Sequence, residues 1–159
     1  LKKYNKLNDL LIISTGHSED HRKVNYFKKI KSFISKNHLE NNYRYLGIVP
    51  FKEVESFIYH SVALIHPSKF EGRSSPVEQA KAIGKQVILS NIDIHKEQKP
   101  RRGIYFNPND FLKLSSIVLK TWNNYNSRNE KKFIDSAYKQ NIDDLYKYYI
   151  DYLKIVKNV

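Results

Sequence analysis

Residues 68–84 read SKFEGRSSPVEQAKAIG, and this stretch decides how the surrounding chain folds. Its first half is a turn rich in Gly and Ser, and its second half has the residue types of a helix start. Ser75 is a typical N-cap, Pro76 suits the first helical position, and Glu78 stands three residues after Ser75, as in a capping box. The pattern predicts a helix that begins at Pro76 and ends at Gly84.

Strands are predicted on both sides of this stretch. Residues 62–66 and 86–89 are short runs rich in apolar residues, typical of strands that are buried on both faces. A strand, a polar loop, a short helix and a second strand form the unit of a parallel sheet, in which ligands bind at the carboxyl ends of the strands. The helix start adds backbone N–H groups and a partial positive charge, so we expect a phosphate-bearing ligand at this loop.

The rest of the chain repeats the alternation of strands and helices. This order predicts an α/β fold with a doubly wound, parallel, Rossmann-like sheet in a single domain. The further strands are expected at 9–16, 42–47 and 103–106. Two further helices are expected at 20–36, with Ser18 or Asp20 as the N-cap and with Val24, Phe27, Ile30 and Ile34 on one face, and at 51–60. Another helix is expected after the turn at 107–110, which caps it, and its apolar positions Leu112, Ile117, Leu119 and Trp122 should mostly face inward.

Two later segments are harder to place. Residues 90–98 are expected to be a polar loop. Residues 129–157 carry apolar side chains at intervals of three and four, which predicts an amphipathic helix, with a break near Asn141. We expect this helix to pack back on the sheet or to reach another domain, and the alternative is an anionic membrane interface that its Tyr and Lys content would suit.

Composition limits the classes of protein. The chain has 159 residues, 40% of them hydrophobic, which is enough for one domain with a core. It has no Cys, so disulfides, thiolate metal sites and a cysteine nucleophile are excluded. Neither a membrane-spanning run nor a signal-peptide core is present in the sequence. We therefore expect a cytoplasmic protein, with a peripheral position at the inner face of the plasma membrane as an extension of that expectation.

The charge is strongly basic. Lys and Arg number 28 against 16 acidic residues, a formal net charge of +12. Such a field attracts polyphosphate ligands, nucleic acid or an anionic membrane, and a general bias toward Lys, Asn, Ile and Tyr accounts for much of it. Nucleic acid recognition through Lys and Tyr side chains is therefore an alternative function.

The chain resembles the GT-B glycosyltransferases of group 1, a GT4-like family. The resemblance covers about residues 10–122 and rests mainly on the family's P-S-x-x-E-G segment, the proline five places after its glutamate, and the following small-residue helix that ends in Gly. Residues 45–50, YLGIVP, are similar to the family's F-L-G-x-V-P, and the strand that ends at Gly16 is similar to I-V-G-x-G, with Ser18 at the second glycine.

The resemblance implies a function for the chain. It implies the C-terminal, donor-binding half of an enzyme that transfers a sugar, with retention, from a nucleotide-diphosphate sugar to a saccharide or lipid-linked acceptor, in bacterial surface polysaccharide synthesis. The implied partner is the N-terminal GT-B domain of the same protein, which is absent from this chain together with a basic loop that binds the diphosphate, so little activity is expected of the chain alone. No cofactor or metal is implied, and His60, His66 and His95 lack the spacing of metal ligands.

The resemblance also assigns site residues. Glu71 is the catalytic candidate, in contact with the transferred sugar; the alternative is a loop acid neutralised by Lys69 or Arg73. The residues implied in donor binding are Gly16, His17, Ile48, Val49, Gly72, Arg73, Ser74, Ser75, Pro76, Glu78 and Gln79. Among the loops, His17 has the alternative of a solvated histidine, and residues 48–49 that of an ordinary turn.

Three of these residues have specific alternatives. Gln79 stands where the family has a glutamate that binds the ribose, and an amide can still hydrogen-bond a diol. Glu78 either completes the capping box or takes that contact, and Arg73 either pairs with the diphosphate or is a surface charge. The departure at Gln79 also allows a third function, a degenerate glycosyltransferase-like interaction domain.

Overall fold

A computed structural model of the chain describes residues 9–18 and 25–157. Strands and helices alternate within these residues in the order β1 (Ile12–Thr15), α1 (Tyr26–Lys36), β2 (Tyr43–Gly47), α2 (Phe51–His60), β3 (Leu64–His66), α3 (Ser75–Ile83), β4 (Val87–Ser90), α4 (Asp93–Gln98), β5 (Gly103–Phe106), α5 (Phe111–Asn123) and α6 (Ser127–Lys157). The strands pair in parallel, as β1-β2 and as β3-β4-β5. This confirms the α/β class with parallel strands.

The chain divides into two compact units, 1–54 and 55–159. In the first unit, β1 pairs with β2 from Ile12 opposite Tyr43 onward. The ring of Tyr45 on β2 packs against Phe27 on α1, with 4.3 Å between the ring centroids. Helix α1 follows Asn25, whose φ of 66° is left-handed; the N-cap predicted at Asp20 and the helical position of Val24 lie outside the described residues.

The second unit has its core around β4, the central strand of its sheet. All four residues of β4 are buried, and Val87, Ile88 and Leu89 are at most 1% exposed. Helix α3 packs on β3 and β4 and also on α6, while α5 packs on β5. Because the strands are parallel and the turn between β3 and α3 directly follows β3, this turn lies at the carboxyl end of the sheet, where the sequence predicted the site.

The prediction of a polar loop after β4 was wrong in part. Part of the expected polar loop at 90–98 is the short helix α4, in which His95 and Gln98 are buried. His95 is hydrogen-bonded to Ser90 at the end of β4, and Gln98 is hydrogen-bonded to Ser74 before α3 and to Glu78 on α3. Such partners offset the cost of leaving water. Among the four positions of α5 that were expected mostly to face inward, Leu112 is the exposed one, at 83%, because it lies about 140° around α5 from the buried Ile117.

Helix α6 runs unbroken through 31 residues, so the predicted break near Asn141 was also wrong. The side-chain amide of Asn141 donates to the carbonyl of Ala82 on α3 at 2.7 Å. It therefore does not compete for the backbone of its own helix, which is how Asn usually disfavours helices. None of the helices in the described part of the chain is long and apolar enough to cross a membrane.

A buried ionic cluster ties α6 to the end of α3. The ammonium of Lys85, 1% exposed, lies 3.0 Å from the carboxylate of Glu130 and donates to the carbonyl of Ser61. The guanidinium of Arg102 donates to Glu130 and to the carbonyl of Gly84, both at 2.9 Å. Buried charges persist when they are paired and hydrogen-bonded, and here each charge has such partners.

Candidate active site

The turn after β3 ends at Ser74, which is the N-cap of α3. The prediction that Ser75 caps the helix was wrong, and no capping box forms, because Ser75 is already the first helical residue. The hydroxyl of Ser74 does not cap the helix either, since it hydrogen-bonds to Nε2 of His66 at 2.9 Å. The hydroxyl of Ser74 is therefore bonded to His66 on β3 and not to the backbone of α3, as a serine at the N-cap position would usually be.

Three groups hold Ser74, which is 2% exposed. Its hydroxyl meets His66 as described, and its carbonyl accepts from the backbone N–H of Glu78 at 3.2 Å. The same carbonyl accepts from the side-chain amide of Gln98 at 2.9 Å. Contacts from β3, α3 and α4 thus fix the last residue of the turn in place.

The opposite side of the turn is open. Gly72, Arg73 and Ser75 are exposed, and a Cβ added at Gly72 would have no atom within 4 Å. The first turn of a helix carries backbone N–H groups that have no intrahelical partner, and the helix dipole makes this end partly positive. The exposed guanidinium of Arg73, with its nearest acid Glu78 at 3.8 Å, adds a full positive charge. The open side therefore suits an anionic ligand.

Glu71 lies on the same turn, with its side chain 28% exposed. Its carboxylate accepts from the hydroxyl of Ser68 at 2.6 Å and lies 3.9 Å from Nε2 of His66. The alternative of a loop acid neutralised by Lys69 or Arg73 is wrong, because the ammonium of Lys69 donates to Asn109 instead, and Arg73 lies beside Glu78. Glu71 is thus held by a neutral hydroxyl, which leaves its negative charge available for a ligand.

Glu78 and Gln79 have different surroundings. One carboxylate oxygen of Glu78 accepts from Gln98 at 3.1 Å, and the other lies 3.7 Å from the ammonium of Lys81. The side-chain nitrogen of Gln79 is buried without a hydrogen-bond partner among the described residues. Glu78 is thus engaged by neighbouring side chains, whereas the amide of Gln79 retains donors for a partner.

Two histidines lie under the turn. The rings of His66 and His95 meet edge to face, with 5.2 Å between their centroids. Nδ1 of His95 lies 2.9 Å from the carbonyl of Ser90, while Nδ1 of His66 is buried without a partner in the described part of the chain. Burial lowers the pKa of His66 below its usual 6.5, which outweighs the nearby carboxylate of Glu71, and His95 lowers it further.

Sequence reasoning missed His66, His95 and Gln98 as parts of this site. The histidines were considered only as metal ligands, and Gln98 only as part of a loop. One signal was present in the sequence: His95 and Gln98 are three residues apart, a spacing that places both on one face of a helix. Their partners could not be identified without the tertiary structure.

The remaining predicted residues lie in the first unit, at the end of β1 and β2. The backbone N–H of Gly16 donates to the carbonyl of Gly47 at 2.8 Å, and the hydroxyl of Tyr45 donates to the carbonyl of Gly16 at 2.6 Å. Gly16 has φ 116°, a conformation that favours glycine. His17 is exposed, and Ile48 is 70% exposed. Gly16 and residues 47–49 are thus neighbours at one strand end.

Comparison with known proteins identifies the family of the chain. Residues 2–140 match the family described as "Glycosyl transferases group 1". A stretch of 78 residues is 30% identical to the "O-antigen chain mannosyltransferase B" of Escherichia coli, and it covers 49% of this chain and 20% of that relative. With a family match over most of its length and an α/β fold with parallel strands, the chain belongs to the group 1 glycosyltransferases.

Proposed function

We propose that this chain binds a nucleotide-diphosphate sugar and forms the donor-binding half of a retaining glycosyltransferase of the GT-B type. The observation that carries the proposal is the turn between β3 and α3. It presents the carboxylate of Glu71 and the open first turn of α3 on one short segment. A sugar and a diphosphate are joined by a single bond in the donor, so one segment suits both.

The diphosphate lies at the first turn of α3 in this proposal. Residues Gly72, Ser74, Ser75 and Pro76 form the backbone there, and Gly72 leaves room for a close approach. Arg73 adds an exposed guanidinium that can donate two hydrogen bonds to a phosphate, and it lies 3.8 Å from the carboxylate of Glu78. The positive partial charge and the guanidinium stabilise the negative charge that develops on the leaving diphosphate, and the proposal includes no metal ion or cofactor.

Glu71 contacts the hydroxyls of the transferred sugar. A carboxylate accepts hydrogen bonds from hydroxyls strongly because the bonds are charge-assisted. Ser68 fixes one oxygen of the carboxylate, which restricts its orientation before the sugar arrives. This preorganisation is the role that we assign to the residue.

The nucleoside contacts are spread over other residues. We assign the ribose to Gln79, whose buried side-chain nitrogen lacks a partner among the described residues, with Glu78 beside it. In the first unit, the strand ends that carry Gly16, His17, Ile48 and Val49 have an exposed turn, and a role of these residues in donor binding stays a prediction.

The rest of the proposal concerns acceptor and setting. The relative's name makes a mannosyl group the first donor sugar to test and an O-antigen-like saccharide the first acceptor, with a lipid-linked saccharide as the second. We assign the protein to bacterial surface polysaccharide synthesis in the cytoplasm, at the inner face of the plasma membrane. Its partner in this reaction is the N-terminal GT-B domain of the same protein.

The test is a calorimetric titration of the chain with nucleoside diphosphates and their sugar conjugates in the presence of EDTA. We expect one nucleotide sugar to bind selectively, and Glu71→Ala to weaken it by about tenfold, as for a lost charge-assisted hydrogen bond. The same variant should leave the parent nucleoside diphosphate unchanged, because Glu71 contacts only the sugar. Glu55→Ala, at an exposed acid of α2, serves as the matched control.

Two results would contradict the proposal. One is the absence of binding to every nucleotide sugar. The other is equal binding of all polyanions that falls steeply with salt and is unaffected by Glu71→Ala. That result would indicate that the net charge of +12 serves to bind nucleic acid or another polyanion instead.

A further inference from the structure

Gln98, the last residue of α4, contacts the turn between β3 and α3, residues 67–74, although it lies outside that turn. The residue is 5% exposed, and its side-chain amide nitrogen lies 2.9 Å from the carbonyl of Ser74 and 3.1 Å from the carboxylate of Glu78. An amide nitrogen has two N–H donors, one for each of these acceptors. Both N–H groups of the Gln98 amide therefore donate to residues at the amino end of α3, Ser74 and Glu78.

Helix α4 is itself fixed in place, which makes Gln98 a rigid support. His95 anchors it through the carbonyl of Ser90 at the end of β4. The hydroxyl of Tyr105 on β5 donates to the carbonyl of His95 at 3.2 Å. The position of Gln98 is therefore set by contacts of α4 with the neighbouring strands β4 and β5.

We propose that Gln98 is a positioning residue that aims the backbone N–H of Ser75 at the donor diphosphate, an inference that rests on the proposed function. The carbonyl of Ser74 and the N–H of Ser75 belong to one planar peptide group, which is trans, so they point in opposite directions. Gln98 and the N–H of Glu78 hold the carbonyl inward. The N–H of Ser75, an exposed residue, is thereby held outward.

The second hydrogen bond has an electrostatic role. The carboxylate of Glu78 lies in the first turn of α3, where it would repel a bound diphosphate. Gln98 engages one of its oxygens and Lys81 lies beside the other. The two contacts restrain the carboxylate and offset its charge, so the helix end remains favourable for an anion.

The first test replaces Gln98 with Met, which keeps the length of the side chain and removes both donors. We expect the affinity for a nucleoside diphosphate to fall by about tenfold, as for one or two lost hydrogen bonds. The affinity for the nucleoside without phosphates should stay within about twofold, a difference that general destabilisation would not produce. The matched control is Gln86→Met, since the amide of Gln86 donates to the carbonyl of Arg102 at the other end of the sheet.

A second variant, Gln98→Glu, adds a pH readout that a purely structural role would not give. Its carboxylate cannot donate to Glu78 or Ser74 when ionised, but it regains one donor when protonated. The affinity of this variant for the diphosphate, divided by that of the wild type at the same pH, should rise as the pH falls from 7 toward 5. The backbone amide signal of Ser75 in ¹⁵N spectra should shift in both variants without ligand.

The outcomes separate the two proposals. A wild-type chain that binds no nucleoside diphosphate overturns the proposed function and the role of Gln98 with it. A wild-type chain that binds while Gln98→Met binds equally well overturns the role of Gln98 alone. Equal losses for the diphosphate and the nucleoside would also overturn it, because they would indicate a general structural effect.

Discussion

The two ends of α3 are both held by polar side chains, but in different ways. At the amino end, the neutral groups His66 and Gln98 hold Ser74. At the carboxyl end, the charged groups of Lys85, Arg102 and Glu130 form a buried cluster around Gly84. One end leaves its outer side open, whereas the other is covered by α6.

This difference separates binding from stability within one helix. Neutral supports leave the positive partial charge of the amino end uncancelled, so that end can attract an anion. The charged cluster at the carboxyl end satisfies its own members and fastens α6 to the domain. We therefore expect changes at the carboxyl end to reduce the free energy of unfolding most, and changes at the amino end to act more on ligand binding.

The largest effect is expected for Glu130→Ala. The substitution leaves the ammonium of Lys85, which is 1% exposed, without its carboxylate. Breaking a buried ion pair in this way costs about 3 to 5 kcal/mol, which urea denaturation would measure as a loss in the free energy of unfolding. Asp151→Ala is the control, because its 3.0 Å pair with Lys154 lies on the exposed half of α6 and should contribute less than about 1 kcal/mol. Equal losses in the two variants would contradict the comparison.

Gly84→Ala should have the next largest effect. Gly84 has φ 76°, and an added Cβ would lie 2.6 Å from Cβ of Ala137 and 2.8 Å from the carbonyl oxygen of Phe133 on α6. Strain and overpacking together should lower the free energy of unfolding by about 2 to 4 kcal/mol. Gly72→Ala, where the added Cβ meets nothing within 4 Å, should change stability far less. A stable Gly84→Ala protein would mean that α6 does not pack tightly on this end of α3.

A smaller effect is expected for Ser74→Ala at the amino end. The change removes the hydroxyl that pairs with His66 and should cost about 1 kcal/mol of unfolding free energy. Ser115→Ala, which removes a hydroxyl bonded only to the carbonyl of Leu112 within α5, is the control and should be close to neutral. A loss as large as that of Glu130→Ala would show that the amino end also carries much of the stability.

The smallest effect is a pH dependence from His66. Burial lowers the pKa of His66 below 6.5. The carboxylate of Glu71 acts in the opposite direction, and His95 lowers the pKa further. The folded protein therefore binds this proton less tightly than the unfolded chain does, so the free energy of unfolding should fall as the pH drops below about 6.5 and level off below the folded pKa. The midpoint of thermal unfolding, measured from pH 7.5 to 5, should fall less in His66→Gln than in the wild type. An identical pH profile in both proteins would exclude His66 as the source, and His60→Gln is the control.

Local signals in the sequence predicted many of the elements. The strand at 103–106 and the helix at 51–60 lie where expected. The turn at 107–110 caps α5 as predicted: its last residue, Asp110, is the N-cap, and its carboxylate accepts from the N–H of Lys113 at 2.8 Å. A cap of this kind involves only residues within one helical turn, so the sequence contains all of its information.

The turn between β3 and α3 has features that local sequence signals did not predict. The resemblance located Glu71, Gly72 and Arg73 on one loop, and the structure places them on the turn after β3. The choice between Ser74 and Ser75 as the N-cap depended on His66, which lies eight residues away on another element. The support from Gln98 spans twenty-four residues and was missed for the same reason.

The sequence by itself determined the α/β alternation, the family and the position of the turn between β3 and α3, because periodicity, turn residues and short motifs are properties of neighbouring residues. Only the tertiary structure decided which serine ends the turn, that 93–98 is a helix and that α6 continues through Asn141. In each of these cases a polar side chain bonds to a partner on another element: Ser74 to His66, Gln98 to Ser74 and Asn141 to Ala82. The packed structure brought that partner within hydrogen-bonding distance, and for Ser74 and Gln98 burial makes an unpaired polar group costly.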